Sequence, residues 1–435
     1  MTPAARVQAA IEVLDEVLGT DRAADGVISA YFRNRRFIGS SDRRAISDQL
    51  WRILRHRARL TWGLGTDHPS GRLFVAANLV RGEGKSIDAV AGLYSGAKNG
   101  PLPLAANEKR MIERAAQMGK DGGRNDAEMP REVKFELPWW LLPKFEAAFG
   151  AETDAALAAL GNEAALDLRV NTLKSTREDI VALLKSEDLE PQTTPLSPLG
   201  VRLPARISLG DHKGFRDGLF EVQDEASQLC AQLVAAKPGT ATMDLCAGAG
   251  GKTLAIAATM QNKGRLIACD VSVGRLERSK LRLRRAGVHN ATLRILEDKD
   301  KWIKRQAGSF DRVLVDAPCT GVGAWRRNPD ARWHLKPENL ESLRVTQESV
   351  LEQGSGLVKL GGRLIYATCS LLPEENQERV EAFLATHPGF KPIPVADVWA
   401  SVLATPCPTT DTFLTLAPHR NGTDGFFVAI LERVS

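Results

Sequence analysis

The chain has 435 residues, 43% apolar and 26% charged, with a formal net charge of +5. That length allows two to four domains. That balance excludes a collagen-like repeat, a disordered tail and a small disulfide scaffold, and its mild basicity permits a nucleic-acid partner. Six cysteines form no C-x-x-C pair, so neither a zinc site nor a redox dithiol is expected; no metal is expected and the thiols read as free. No apolar run approaches the ~18 residues of a spanning helix, and the first six residues lack the apolar core of a signal peptide. A cytoplasmic monomer with no membrane contact is expected.

In chain order, Val7, Ile11, Leu14 and Leu18 recur at the spacing of one helix face. Ser40-Ser41-Asp42 offers an N-cap to a second helix with Ile46, Leu50, Ile53 and Leu54 on its apolar face. Its other face carries Arg43, Arg44, Arg52, Arg55, Arg57 and Arg59, either a solvated face or a surface for phosphates. Residues 119–126 are turn-rich and apolar-poor and mark a domain boundary. Pro138-Trp139-Trp140 opens the next unit, where 166–172 reads as a strand, 176–184 as a helix, and 201–203 and 219–222 as extended pieces. From about Ala241, β-rich runs at 242–246, 266–269, 291–296, 312–315 and 363–367 alternate with helical patterns. That is the rhythm of an α/β, doubly wound parallel sheet. Residues 413–416 and 425–432 are predicted to close the chain as an antiparallel hairpin at a sheet edge. The expected domains are 1–125, all-α; 130–225, a small α+β module; and 226–435, the doubly wound domain.

Cys246-Ala247-Gly248-Ala249-Gly250-Gly251-Lys252-Thr253 lies between a predicted strand and helix. Glycines there let a ligand approach the backbone, and the helix N-terminus offers free N–H groups. The P-loop pattern fails because Cys246 replaces its first Gly. The dinucleotide fingerprint fails because Thr253 takes the third Gly position. Asp270, twenty residues after Gly250, suits the ribose hydroxyls of an adenosine cofactor, or simply caps the next helix. Loop and acid together favour an adenosine cofactor but do not separate NAD from S-adenosylmethionine.

Asp316-Ala317-Pro318-Cys319-Thr320-Gly321 follows the fourth predicted strand, and Thr368-Cys369-Ser370 the fifth. Both thiols therefore end at the cofactor edge of a parallel sheet. Carbon 5 of cytosine is a poor nucleophile. A thiolate adding to carbon 6 makes carbon 5 enamine-like, able to attack a sulfonium methyl; a base then removes the C5 proton and the thiol leaves. Asp316 near pyrimidine N3 would stabilise the adduct.

These motifs resemble the Sun/RsmB group of S-adenosylmethionine-dependent RNA cytosine-5 methyltransferases over nearly the whole chain. The entry segment 220–227, the loop 246–253, the two cysteine motifs, Arg326-Arg327-Asn328-Pro329-Asp330 and Pro373-Glu374-Glu375-Asn376 carry the resemblance. It implies an all-α NusB-like RNA-binding domain, an RRM-like module and a Rossmann-like methyltransferase domain. It implies that Cys246 through Lys252, Asp270, Asp298 and Asp316 contact S-adenosylmethionine or flank it, with Glu297 the neighbour that could exchange with Asp298. It implies Cys369 as nucleophile and Cys319 as the residue that assists product release. The implied substrate is small-subunit (16S) ribosomal RNA. The loop departs from the family's usual Ala-Pro-Gly-Gly-Lys, because Ala249 stands where Pro is usual, and a freer loop is expected.

Arg275, Arg278, Lys280, Arg282, Arg284 and Arg285 crowd one predicted helix; Lys299, Lys301, Lys304 and Arg305 follow. Trp325-Arg326-Arg327 suits base stacking with phosphate contact. A cytosine must leave its stack to reach two thiols, which favours a loop or junction. Competing readings are a tRNA methyltransferase, a DNA methyltransferase, which would have Gln at Thr320, an NAD-dependent oxidoreductase, and a non-catalytic RNA-binding or ribosome-assembly factor, which needs neither thiol.

Overall fold

The computed structural model describes residues 1–118, 128–204, 207–297 and 300–435. The boundary expected at 119–126, Asp298 and Lys299 lie outside the described residues. Packing divides the chain into two units, Met1–Glu146 with Arg327–Leu335, and Ala147–Arg326 with Lys336–Ser435.

The first unit is helical: Pro3–Leu18, Ala24–Asn34, Ser40–Arg55, Arg57–Leu64, Gly71–Arg81, Ile87–Leu93 and Ala106–Ala116. Val7, Ile11 and Leu14 are buried, and Leu18 packs at the margin. Ile46, Leu50, Ile53 and Leu54 are at most 1% exposed. Each such burial stabilises by about 1.5–3 kcal/mol. The expected N-cap is displaced by one residue: Gly39 is the cap and makes no side-chain bond, while Ser40 is already helical. Asp42 instead pairs with Arg6 at 3.2 Å.

The arginine row is not one solvated face. Arg43 donates to the Ile38 carbonyl at 2.7 Å, Arg59 to the Lys134 carbonyl at 3.0 Å, and Arg52 meets Glu83 at 3.6 Å. Arg55 is buried, and Arg44 alone of the six is exposed. Glu136, itself 3% exposed, accepts the N–H groups of Ala58 and Arg59 at 2.7 and 3.1 Å, closing the start of the helix Arg57–Leu64. From the distant segment Arg327–Leu335, Arg332 donates to the Glu136 carbonyl at 2.9 Å and Asp330 accepts the Ala24 N–H at 2.8 Å.

The second unit holds two sheets. Strands β1 (Leu166–Val170), β2 (Gln192–Thr193), β3 (Gly200–Leu203) and β4 (Phe220–Val222) form an antiparallel sheet in the order β2-β3-β1-β4. The helix Arg177–Ser186 buries Ile180 and Leu184 against it. The two-residue β2 escaped the sequence reading because so short a strand shows no alternation.

Strands β5 (Ala241–Asp244), β6 (Arg265–Asp270), β7 (Ala291–Ile295), β8 (Phe310–Asp316), β9 (Val358–Thr368), β10 (Phe390–Ile393), β11 (Leu414–Leu416) and β12 (Phe426–Arg433) form the large sheet. Its order is β10-β12-β9-β8-β5-β6-β7, with β11 beside β12. The strands β7-β6-β5-β8-β9 are parallel, and β12 runs antiparallel to β9, β10 and β11. Along β9, Leu364 and Tyr366 enter one core and Ile365 and Ala367 the other, as a sheet covered on both faces requires. The terminal hairpin forms at the sheet edge as expected: β12 has β9 on one side and β10 and β11 on the other, and β11 pairs with β12 alone. Both outer strands are edges, and in β10 Pro392 has no N–H to give an outer neighbour.

Candidate active site

From β5 the sheet steps outward to β6 and β7, then returns to β8 on the other side. Such a switch point opens a crevice at the carboxyl ends of the strands. A cavity of about 910 Å³ lies there. Every residue of 246–252 except Gly250 lines it, with Asp270, Glu297, Asp316 and Cys319.

The loop's backbone explains its glycines. Gly248 and Gly250 have φ of 55° and 81°, in the left-handed region. Gly250 caps the helix Gly251–Thr259, and a Cβ there would lie 2.2 Å from the Ser279 hydroxyl. Bonds from two other elements hold the loop. Arg282 donates to the Ala249 carbonyl at 2.8 Å and is itself held by Glu221 of β4 at 3.1 Å. Asp270, at the end of β6, accepts the Gly248 N–H and the Ser272 N–H, each at 2.8 Å. It fixes the loop and also faces the cavity.

Lys252 is 8% exposed and donates to Asp316 at 2.7 Å. Burial works against its ammonium, but Asp316 and nearby thiols hold its pKa above the ordinary value. Asp244, fully buried, takes the Thr253 hydroxyl at 2.6 Å, and burial pushes its carboxyl up to about 7. Burial, then the carboxylates of Asp316 and Asp244, raise the Cys246 thiol, and its side chain lines the cavity.

Cys319 and Cys369 follow the adjacent parallel strands β8 and β9, and their sulfurs are 3.5 Å apart. The contact with Cys369, then burial, raises the Cys319 pKa well above the ordinary thiol value. The motif 373–376 clamps both cysteine loops. Glu375, fully buried, accepts the Thr320 N–H at 2.8 Å, the Gln347 amide at 2.9 Å and the Thr320 hydroxyl. Asn376 accepts the Thr368 hydroxyl at 2.6 Å and donates to the Ser370 carbonyl at 3.1 Å, one residue either side of Cys369. Neither the clamping role of this motif nor that of Arg282 on the glycine loop is visible in the sequence. A buried acid next to a second acid in the chain is not distinguishable by spacing alone.

The expected RNA surface is partly corrected. Trp325 is 1% exposed, so it packs inside and offers no stacking face. Arg326 donates to the carbonyls of Gly422 and Thr423 at 3.1 and 2.9 Å. Arg282 and Arg285 are bound to Glu221. Arg275, Arg278, Lys280 and Arg284 of the same helix remain exposed.

Five parallel strands with an antiparallel one inserted beyond β9, and a glycine loop opening on the switch point, place the chain among Rossmann-like methyltransferases. Residues 231–432 match the model for the 16S rRNA methyltransferase RsmB/F family, and 137–209 the RsmF/B-like ferredoxin-like domain. The probable ribosomal RNA small subunit methyltransferase B of Synechocystis is 32% identical over 74% of this chain and 72% of its own length. Among solved structures, that of PH0851 has a TM-score of 0.80 at 25% identity over 100% of this chain and 99% of the other. NSun6 from Pyrococcus horikoshii with SFG has a TM-score of 0.61 at 23% identity, over 68% and 98%. The chain belongs to the RsmB/F family of 16S rRNA methyltransferases.

Proposed function

We propose that the chain transfers a methyl group from S-adenosylmethionine to carbon 5 of a cytosine in small-subunit ribosomal RNA, through a covalent adduct between Cys369 and carbon 6. The observation that carries this reading is the 3.5 Å separation of two thiols at the ends of β8 and β9, of which Cys319 lines the glycine-loop cavity and Cys369 lies against Cys319. A purely binding protein has no use for either.

The residues fit the cofactor: a cavity walled by loop N–H groups at a helix start, and a carboxylate at the end of β6. Asp270 would take the ribose. Asp298, or its neighbour Glu297, would flank the adenine; Glu297 lines the cavity. When bound, S-adenosylmethionine supplies an electrophilic methyl group. Cys369 forms the bond to carbon 6. Asp316 orients Lys252 through one oxygen and offers the other to the pyrimidine edge, where the adduct's charge develops. Cys369 gives its S–H proton to solvent before its sulfur attacks; once carbon 5 carries the methyl, Cys319, its own proton released to solvent, takes the C5 proton as the bond between sulfur and carbon 6 breaks and Cys369 leaves as thiolate. Transfer of a tritiated methyl to a small-subunit rRNA transcript, with bisulfite mapping of the product, tests this. Methylation of tRNA alone, or of no RNA, refutes it.

A further inference from the structure

The helical unit contains a second cavity, of about 680 Å³, which shares no lining residue with the glycine-loop cavity. It lies between the helix Arg57–Leu64, the turn that follows it, the helix Ala106–Ala116 and Trp333. Two indoles line it, Trp62 and Trp333, both half-buried. So do Arg57, Arg114 and His68.

The charges point to a ligand. Arg57 is partly buried, and that burial lowers its pKa. It makes no hydrogen bond or ion pair among the described residues; its guanidinium carbon lies 5.7 Å from the Trp333 ring centroid. The nearest influential carboxylate, Glu136, is already bound to the Ala58 and Arg59 N–H groups. A half-desolvated cation that faces a cavity and is paired with no carboxylate among the described residues calls for an anion. Arg114 likewise has no partner among the described residues. Its guanidinium occupies the space over Gly65, where a Cβ would lie 2.0 Å from Nη1. Trp333 is fixed by its indole N–H, 3.5 Å from the Leu54 carbonyl. Asp67 is the one carboxylate lining the cavity, and it suits an exocyclic amine rather than a phosphate.

An aromatic wall beside unpaired guanidinium groups is the chemistry that holds one unstacked nucleotide: the base against an indole, the phosphate on arginine. We propose that this cavity is a nucleotide subsite for the RNA substrate, separate from the methylation site, with Trp62 and Trp333 against the base and Arg57 and Arg114 on the backbone. The proposal rests on reading the chain as an RNA methyltransferase. Trp333 belongs to the stretch that continues from the Cys319 loop, so this subsite is built in part from catalytic-domain sequence.

The test uses the full chain and a radiolabelled transcript of small-subunit rRNA, with filter binding across a salt series. Replacing both Arg57 and Arg114 by Gln should lower the log–log salt slope by about 1.4, at ~0.7 per single-stranded phosphate contact. Trp333→Leu should weaken binding by roughly 5- to 150-fold and leave the slope unchanged, as loss of one stacked base requires. S-adenosylmethionine affinity, measured by calorimetry, should not move. Where Trp333→Leu fails to fold, Arg114→Gln at its exposed position decides alone, through a slope lower by about 0.7. Wild-type affinity and slope in these variants overturn the subsite while the wild-type chain still methylates the transcript. A wild-type chain that neither binds nor methylates it overturns the RNA reading beneath.

Discussion

Glu375 touches neither the cavity nor a sulfur, yet the geometry makes it the support of the Cys319 loop. Its carboxylate receives three donors, two of them from Thr320, the residue after Cys319. Glu375→Ala removes all three hydrogen bonds. Gln347 keeps its second bond, to the Pro318 carbonyl at 3.0 Å, but the half-buried Thr320 N–H loses its partner. At about 1.5–3 kcal/mol for a bond to a charged group, with overlap between neighbours, the loss should be ~3–5 kcal/mol. Glu375→Gln keeps one oxygen for the Thr320 N–H and Gln347, and the Thr320 hydroxyl can turn to accept from the new amide. That variant should lose only about 1–2 kcal/mol. Urea unfolding measures both. Single-turnover methyl transfer on the folded fraction should fall at least ~100-fold for Ala, since an ~1 Å misplacement of a reacting group costs that much, and under about tenfold for Gln. Cofactor affinity should stay put in both. A stable, folded Glu375→Ala protein with wild-type single-turnover rate would refute the positioning argument.

The two thiols predict opposite products. Cys369→Ala should transfer no methyl and leave no protein–RNA adduct, whereas Cys319→Ala should accumulate a nuclease-sensitive slow band on a denaturing gel; the reverse pattern exchanges their roles. Asp270→Ala orphans the Gly248 and Ser272 N–H groups, and should weaken S-adenosylmethionine by about 1.5–3 kcal/mol in calorimetry; unchanged affinity removes Asp270 from the cofactor site. Arg282→Ala should raise the cofactor KM with little change in kcat, because it frees the Ala249 carbonyl and touches no reacting atom. Burial raises the Glu136 carboxyl from 4.5 to about 7. A folded state that holds its proton more tightly is favoured below pH 4.5, and loses that advantage as pH climbs through 7. The change should be about 3 kcal/mol between pH 4 and 8. Glu136→Gln should flatten that part of the urea-midpoint profile, and a variant with the wild-type slope would show the carboxyl to be unshifted.

Much of the catalytic domain was legible because parallel strands buried on both faces must be near-continuous apolar runs. The runs at 266–269 and 363–367 fall inside β6 and β9. The loop and both cysteine motifs were legible for a related reason: backbone angles of 55° and 81° at Gly248 and Gly250 leave few residue choices. What the sequence hid depends on contacts far along the chain. Trp325 beside two arginines has the look of a nucleic-acid contact, and only the packing reveals it as core, while Trp333, unremarked, lines an open cavity. Arg282 and Arg285 look like their exposed neighbours until β4 brings Glu221 against them. The edge strand β10, with Pro392 and two exposed positions, carries almost no periodic signal.

The segment Arg327–Leu335 has a consequence for synthesis. The helices of the first unit leave the ribosome early, but Asp330 and Arg332, which bind Ala24 and Glu136, are translated roughly 190 residues after the rest of that unit ends. At ~5–20 residues per second the delay is roughly 10–40 s. Throughout it, the helix at Ala24 lacks its carboxylate and Glu136 lacks its guanidinium. The helical unit is thus finished by the catalytic domain's own translation, and a gene cut after Glu146 would yield a fragment that never receives its final piece.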